Sequence, residues 1–211
     1  APEWQSQKGK FGYERRLRYV FFDHGGYVAL CKRYRHYAKD RGLFKSLEEK
    51  RANNPNVDLL IGAVNVWNWD FFGPDAVSLV KEMRSLGIER ILWSHRQPPE
   101  TVAAMNQLDG VLTSRYDIFQ DLMDPALLKH LHGLHPDWTQ EGWPDDLMIG
   151  PYGEWLRGWG VDGKDGKRYF CGVLCDRKAP AYARRRIRKE LKTHPYRSRF
   201  IDTTTATHWR E

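Results

Sequence analysis

The sequence has few cysteines and no long apolar run. Its three cysteines, Cys31, Cys171 and Cys175, cannot form a complete set of disulfides, and a single C-x3-C pair is a poor zinc signature. We therefore expect free thiols that are buried or partly buried, and no metal site. No apolar stretch approaches the ~20 residues of a membrane span, and no secretory signal pattern is visible. The sequence predicts no membrane partner and leaves the compartment open, with an extracytoplasmic location slightly favoured.

Positive charge is in excess, with 34 Lys and Arg against 27 Asp and Glu and a net charge of +7. One cluster is formed by Arg15, Arg16 and Arg18. The other is the segment "RRRIRKELK" at 184–192, where the apolar residues Ile187 and Leu191 follow at helical spacing and leave most cations on the outward faces. A solvated helix face explains this pattern, and an anion-binding or nucleic-acid-binding surface is the alternative.

The first 56 residues have a pattern of their own. The segment "RLRYVFF" at 16–22 has the composition of a strand, and tyrosines at helical spacing over 25–44 predict a helix packed by aromatic rings. Gly42 is placed to end that helix, and Ser46 and Glu49 have the spacing of a capping box for a second one.

A strand–helix alternation begins at residue 57. The run "VDLLIGAVNVW" is typical of a strand covered on both faces, and strands are also predicted at "IERILWSH" and "GVLTSRYDI". Amphipathic helices are predicted between them, over 73–87 and 98–110. This order predicts parallel pairing through crossover helices, in either an open doubly wound sheet or a barrel.

The second half of the chain interrupts the alternation and then resumes it. Residues 119–150 predict a long irregular excursion, and the turn signal Asp165–Gly166 between two strand-like arms predicts an inserted β-hairpin. A helix around 180–192 then leads into "RSRFID", the fourth strand of the series.

Aromatic and charged side chains follow each of the four predicted strands. Because the carboxyl ends of parallel strands meet on one face, we expect these residues to form one rim. A pyranose offers an apolar C–H face that tryptophan covers and hydroxyls that Asp, His and Arg bind. The rim therefore predicts a sugar site. Its candidate members are Trp67, Trp69, Asp70, His95, Arg96, Tyr116, Asp117 and Asp202.

Each candidate also has a purely structural interpretation. Trp67 and Trp69 could cap the end of a barrel, and His95 could be a packed, hydrogen-bonded histidine. Asp117 could cap a following helix. Asp202 could be an ordinary acid at the start of a loop, with the threonines at 203–205 satisfying backbone groups.

Three stretches together resemble the glycoside hydrolases grouped around families 101 and 129, the α-N-acetylgalactosaminidases and their relatives. They are residues 8–67, from "KGKFGYERRLRYVFF" to "LLIGAVNVW", then "YDIFQDLMDP", and the terminal "RFIDTTTATHWRE". The resemblance implies a retaining mechanism on α-linked N-acetylgalactosaminides of O-glycans, with no cofactor. It implies that Asp202 is the nucleophile, that Asp70 and His95 contact sugar hydroxyls, and that Tyr116 and Asp117 are rim residues.

The resemblance also implies an organisation. Residues 1–56 would be a lead-in of strand and helices from an upstream β-rich domain, and 57–211 the first half of a (β/α)8 barrel, ending after the fourth strand. The family's acid/base glutamate is expected on the next strand, so we expect this chain to be an inactive fragment. Glu211 lies only nine positions after Asp202 and is a poor candidate for that acid.

Two other functions fit parts of the pattern. A catalytically lapsed barrel that only binds glycans would have the same rim, and a basic module could bind nucleic acid through the helix at 184–192. Our principal expectation is a carbohydrate partner and no nucleic acid. The oligomeric state is not indicated by the sequence.

Overall fold

The computed structural model describes residues 4, 6, 9–12, 14–133, 135, 138 and 140–202. The threonines at 203–205 and Glu211, for which roles were considered above, lie outside the described residues. No helix within the described part is long and apolar enough to cross a membrane.

The described residues form two sheets and a set of helices. In chain order the elements are α1 (Gly26–Asp40), α2 (Leu47–Asn53), α3 (Asn56–Leu60), β1 (Val64–Val66), α4 (Pro74–Ser85), β2 (Ile91–Trp93), α5 (Pro99–Met105), β3 (Val111–Asp117), β4 (Asp121–Leu122), β5 (Arg157–Asp162), β6 (Arg168–Val173), α6 (Ala179–Glu190) and β7 (Ser198–Ile201). Short 3-10 helices cover Pro125–His130 and Gln140–Gly142.

The first sheet has the order β1-β2-β3-β7, and its three strand pairs are all parallel. Helices α4 and α5 connect consecutive strands, and α6 leads into β7. The predicted alternation with parallel pairing is therefore confirmed. The four strands and their helices form a mixed α/β arrangement with a parallel sheet, and closure into a barrel is not shown.

The core of this sheet lies between its strands and helices α4 and α5. Trp93 and Ile91 of β2 are buried against Val80 of α4 and Met105 of α5. Burying each large side chain contributes roughly 1.5–3 kcal/mol, so this cluster is a main stabiliser of the sheet. The turn before β3 requires glycine, because Gly110 has φ 74° and a Cβ there would collide with the carbonyl oxygen of Glu89.

The second sheet is antiparallel, in the order β4-β6-β5. Its β5–β6 hairpin turns at Gly166, which has φ 74°, so the predicted inserted hairpin is confirmed. The hairpin packs Cys171 against Met123 and Leu131, whereas Cys175 is half-buried. The free-thiol prediction holds for both.

Three expectations for the N-terminal segment are wrong: the strand at 16–22, the tyrosine packing of α1 and the burial of the Cys31 thiol. Residues 16–22 are neither helix nor strand, and Phe21 is 91% exposed. Helix α1 forms as expected, but its tyrosines do not pack a core, since Tyr27 is 80% exposed; Cys31 on the same helix is exposed as well. No second layer of described elements covers the apolar side chains of this segment, and amino-acid composition alone does not show whether such a layer is present.

The end of α1 and the start of α2 match the expectations. Gly42 follows α1 with φ 67°, and Ser46 and Glu49 form the predicted capping box. In that box Glu49 N–H donates to Ser46 Oγ at 3.2 Å, and Ser46 N–H donates to Glu49 Oε2 at 2.6 Å.

The run at 57–67 is also different from the expected buried strand. Its first part belongs to α3, Gly62 then turns the chain with φ 73°, and only Val64–Val66 is β-strand. Among the described residues β1 pairs with β2 and with no strand on its other side, so its first residues are exposed rather than covered on both faces. Arg90 holds this corner by donating to the carbonyl oxygens of Asp58 and Ile61. A division at residue 56 stays a prediction.

Candidate functional site

The rings that follow the four parallel strands form one cluster. Trp67 lies 4.7 Å from Phe200 and 5.3 Å from Tyr116, between ring centroids, and both contacts are edge-to-face. Trp69 lies 5.7 Å from Tyr116 and 4.2 Å from His95. Residues from the ends of β1, β2, β3 and β7 are thus in contact, as the parallel topology requires.

Asp202 lies beside this cluster, directly after β7. The Tyr116 hydroxyl donates to Asp202 Oδ2 at 2.5 Å, and the Asp202 amide donates to the carbonyl oxygen of Asp117 at 2.9 Å. This backbone hydrogen bond extends the β3–β7 pairing by one residue. The sheet therefore fixes the position of the Asp202 backbone, from which the carboxylate projects.

Trp67 and Trp69 are exposed to solvent, whereas His95 is buried. Trp67 is 42% exposed and Trp69 is 56% exposed, whereas His95 is 8% exposed beneath Trp69. An exposed indole beside a carboxylate can accept the apolar face of a sugar ring. Packing of His95 against Trp69 agrees with the structural interpretation of this histidine and also leaves it at the edge of the site.

A buried hydrogen-bond clamp positions the loop after β1. The side chain of Gln97 accepts from the Gly73 amide at 2.9 Å and donates to the Phe71 carbonyl at 3.0 Å. The Tyr196 hydroxyl accepts from the Gln97 amide and donates to its carbonyl oxygen. Burial raises the pKa of Tyr196, so the hydroxyl stays protonated and the loop is held at neutral pH.

Asp70 stands apart from the cluster. It is exposed in the loop after Trp69, and its amide is held by the side chain of Asn68 at 2.9 Å. Within the described residues its carboxylate makes no hydrogen bond or ion pair. It therefore lies near the rim without contacting the other candidates.

Asp117 is fully buried beneath the rim. Its carboxylate contacts Arg199 at 2.9 Å, Arg186 at 3.2 Å and Arg115 at 3.3 Å, and Glu190 pairs with Arg115 and Arg199 from the other side. Asp117 thus neither caps a helix nor faces the exposed rings. The cluster ties β3, β7 and α6 together and has one more cation than anions.

Sequence reasoning missed this buried charge cluster, although one signal was present. Arg115 lies in the middle of β3, where six of seven residues are buried, and a charged residue in such a strand requires a partner. On α6 the exposed face carries Arg184, Arg185, Arg188 and Lys189 as expected, but Arg186 turns inward to Asp117 and covers the ring of Phe119 at 3.9 Å.

No group of three or more His, Cys, Asp or Glu residues within the described ranges is arranged to hold a metal ion. Trp67, Trp69, Tyr116 and Asp202 instead form a surface of aromatic faces, one hydroxyl and one carboxylate. Such a surface can bind a polyhydroxylated ring and offers an oxygen nucleophile beside it.

Solved structures of one enzyme share this fold. The chain matches the GalNAc complex of the α-N-acetylgalactosaminidase NagBb from Bifidobacterium bifidum with a TM-score of 0.56 and 18% identity, over 82% of this chain and 32% of that one. The complex with Gal-NHAc-DNJ gives a TM-score of 0.58 and 19% identity, over 86% of this chain and 34% of that one. No protein-family model and no curated protein sequence matches the chain.

This likeness supports a distant glycoside hydrolase-like fold. The chain spans about a third of the length of the enzyme structures it matches. At 18–19% identity the comparison establishes the fold alone.

Proposed function

We propose that this chain is part of a retaining glycoside hydrolase that acts on α-linked sugars, with α-N-acetylgalactosaminides of O-glycans as the substrate class. In this proposal residues 57–211 form the first half of a (β/α)8 catalytic barrel. The observation that carries it is the contact of Asp202 with Tyr116 beside the exposed rings of Trp67 and Trp69. The fold likeness to an α-N-acetylgalactosaminidase supports the same conclusion.

Asp202 is the proposed nucleophile. Its carboxylate oxygen attacks the anomeric carbon, the bond to the leaving oxygen breaks, and a glycosyl ester forms on Asp202. The Tyr116 hydroxyl, which donates to Oδ2 at 2.5 Å, orients the carboxylate so that its other oxygen can attack. Water then cleaves the ester and restores the carboxylate. The acid that protonates the leaving oxygen is proposed to be a glutamate outside this chain.

The other candidates are assigned to substrate binding. Trp67 and Trp69 cover the apolar face of the ring, and His95 and Asp70 bind hydroxyls. Asp117 acts as a positioning residue, because its arginines fix the ends of β3 and β7 that carry Tyr116 and Asp202. This chemistry needs no metal or organic cofactor.

A barrel that binds glycans without cleaving them is the second candidate function, since exposed indoles alone suffice for binding. The nucleic-acid alternative predicts binding that weakens by about one decade per decade of salt for each phosphate contacted. A sugar site predicts weak salt dependence and loss of binding when Trp67 or Trp69 is truncated.

The test uses the complete protein that contains this segment, assayed on an aryl α-N-acetylgalactosaminide beside the corresponding galactoside and glucoside. An activated phenol needs little acid assistance, so the rate reports mainly on the nucleophile. We expect activity on the hexosaminide and a loss of about three or more decades for Asp202→Ala. Failure to hydrolyse any of the three substrates would contradict the glycosidase proposal and favour a binding function.

A further inference from the structure

A second carboxyl lies four residues beyond Asp117, whose carbonyl oxygen accepts from the Asp202 amide, and the roles assigned above do not use it. Asp121 opens β4, four residues after β3 ends, and it is 4% exposed. Strand pairing sets it opposite Val173 of β6. Asp121 therefore follows the same strand end as Tyr116 and is held in place by the antiparallel sheet.

Asp121 is poorly satisfied for a buried acid. Within the described residues, its carboxylate accepts one long hydrogen bond, from the Trp159 amide to Oδ1 at 3.4 Å, and forms no ion pair. Asp117, equally buried, has three arginines. A buried carboxylate without a cation costs free energy, and such groups are concentrated at ligand-binding and catalytic sites.

No cation pairs with Asp121 among the described residues. Arg157 of β5 lies over the ring of Phe170, and Arg186 of α6 pairs with Asp117. The titratable neighbours are Cys171 of β6, whose pKa is raised to about 12 by burial and by the Asp121 charge, and Asp202. Because Cys171 is neutral at physiological pH, Asp202 supplies the charge that acts on Asp121.

The pKa of Asp121 is raised, first by burial and then by the charge of Asp202, while the Trp159 amide opposes the shift. This agrees with the positions of the two residues, Asp121 just beyond β3 and Asp202 at the end of β7, which pairs with β3. The backbone of β5 leaves room for this carboxyl, since a Cβ on Gly158 would lie 2.9 Å from its Oδ1.

We propose that Asp121 is a second substrate-binding carboxyl, which accepts a hydrogen bond from a ring hydroxyl of the sugar whose anomeric carbon faces Asp202. The inference rests on the proposed function and adds a contact that fixes the ring over the nucleophile. A hydroxyl delivered by the substrate supplies the hydrogen bond that the protein leaves unmade. Charge-assisted bonds of this kind discriminate strongly among epimers, because an epimer with its hydroxyl elsewhere leaves the carboxylate unpaired.

The test measures the affinity of N-acetylgalactosamine and its 3-, 4- and 6-deoxy analogues, together with kcat and KM on the aryl hexosaminide, in the complete protein. Asp121→Asn should weaken sugar binding and raise KM by about 10- to 100-fold. In the wild type, one deoxy analogue should bind more weakly than N-acetylgalactosamine. In Asp121→Asn, that analogue and N-acetylgalactosamine should bind with equal affinity. Asp162→Asn, an exposed carboxylate on the same hairpin, is the matched control and should leave both values unchanged.

The pH dependence separates this role from a structural one. Because the ionised carboxylate is the stronger acceptor, wild-type affinity should fall as the pH drops through the raised pKa of Asp121. In Asp121→Asn that step should disappear. Equal affinity, equal KM and the same pH profile in both proteins would overturn the assignment of Asp121 and leave the glycosidase proposal intact.

A wild-type measurement covers the case in which the variant does not fold. The side-chain carboxyl carbon of Asp121, followed by 13C NMR, should shift when the sugar saturates the protein, while that of Asp162 should not. No shift at saturation would overturn the proposal for Asp121. A wild type that binds none of the sugars would overturn both this inference and the proposed function.

Discussion

Residues 14–53 and the parallel sheet use their apolar side chains in opposite ways. In the sheet, Trp93, Ile91 and Val111 are at most 1% exposed. In residues 14–53, Ala38 alone among the described residues is buried, and Phe21 is 91% exposed. The comparison teaches that apolar side chains form a core only where a second layer is present to cover them.

The two regions also differ in charge. Residues 1–45 contain 11 Lys and Arg against four Asp and Glu, while residues 46–211 contain 23 of each. The entire net charge of +7 thus comes from the first 45 residues. The basic face of α6 is not its source, because acids elsewhere in that region, such as Glu141 beside Arg185, balance it.

Thiol labelling should show the largest difference between the regions. Cys31 on α1 is exposed, while Cys171 of β6 is buried with its pKa raised to about 12. Since the thiolate is the reactive form, we expect Cys31 to react at least about a hundredfold faster than Cys171 at pH 8. Mass spectrometry of iodoacetamide-treated protein measures both rates. Protection of Cys31 would show that another surface covers α1 and would break the comparison.

Removing the buried charge on Asp117 should be the most damaging single change to the sheet. Asp117→Asn leaves Arg186 and Arg199 with a weaker acceptor, and we expect a loss of roughly 3–5 kcal/mol in the free energy of unfolding. Urea denaturation followed by circular dichroism measures it. The exposed pair Arg168–Asp162 is the control, and Arg168→Ala should change stability by less than about 1 kcal/mol. Equal effects of the two variants would contradict the buried network.

Truncating an exposed indole should affect binding more than stability. Trp69 is 56% exposed, so Trp69→Ala should weaken sugar binding by about tenfold while the unfolding midpoint changes little. Isothermal titration with N-acetylgalactosamine gives the affinity. Tyr152→Ala, at a side chain that is 94% exposed in the turn before β5, is the matched aromatic control. Loss of binding in both variants would argue against a specific sugar face at Trp69.

The smallest expected effect is local and lies in the N-terminal region. Ser46→Ala removes the capping bond to the Glu49 amide and should destabilise α2 by about 1 kcal/mol. Hydrogen exchange of the amides in the first turn of α2 should accelerate about fivefold, with no change in the sheet. An equal acceleration at β3 would mean that the two regions unfold as one unit.

Periodicity and turn residues predicted the frame of the molecule. The strand–helix alternation, the hairpin at Asp165–Gly166 and the capping box at Ser46 depend on short-range patterns, and all three are present. The predicted burial of residues 57–67 failed because burial depends on how many strands pair with β1. The edge position of β1 depends on the arrangement of the whole sheet, so the sequence of residues 57–67 alone could not predict it.

The candidate site was predicted in its outline and missed in its buried part. Strand ends converge for topological reasons, so the proximity of Trp67, Tyr116 and Asp202 followed from the order of elements. The partners of Asp117 could not be deduced in the same way. Arg186 and Arg115 come from distant parts of the chain, and helical spacing indicates which side is inward without indicating what lies there.

The measurement that tests the central claim most directly is covalent trapping on Asp202. A 5-fluoro α-glycosyl fluoride of N-acetylgalactosamine loses fluoride with no need of acid assistance, and the ring fluorine slows hydrolysis of the ester so that it accumulates. Digestion and mass spectrometry should place the added sugar on Asp202, with no adduct in Asp202→Ala. An adduct on another carboxylate, or turnover that survives in Asp202→Ala, would contradict the account.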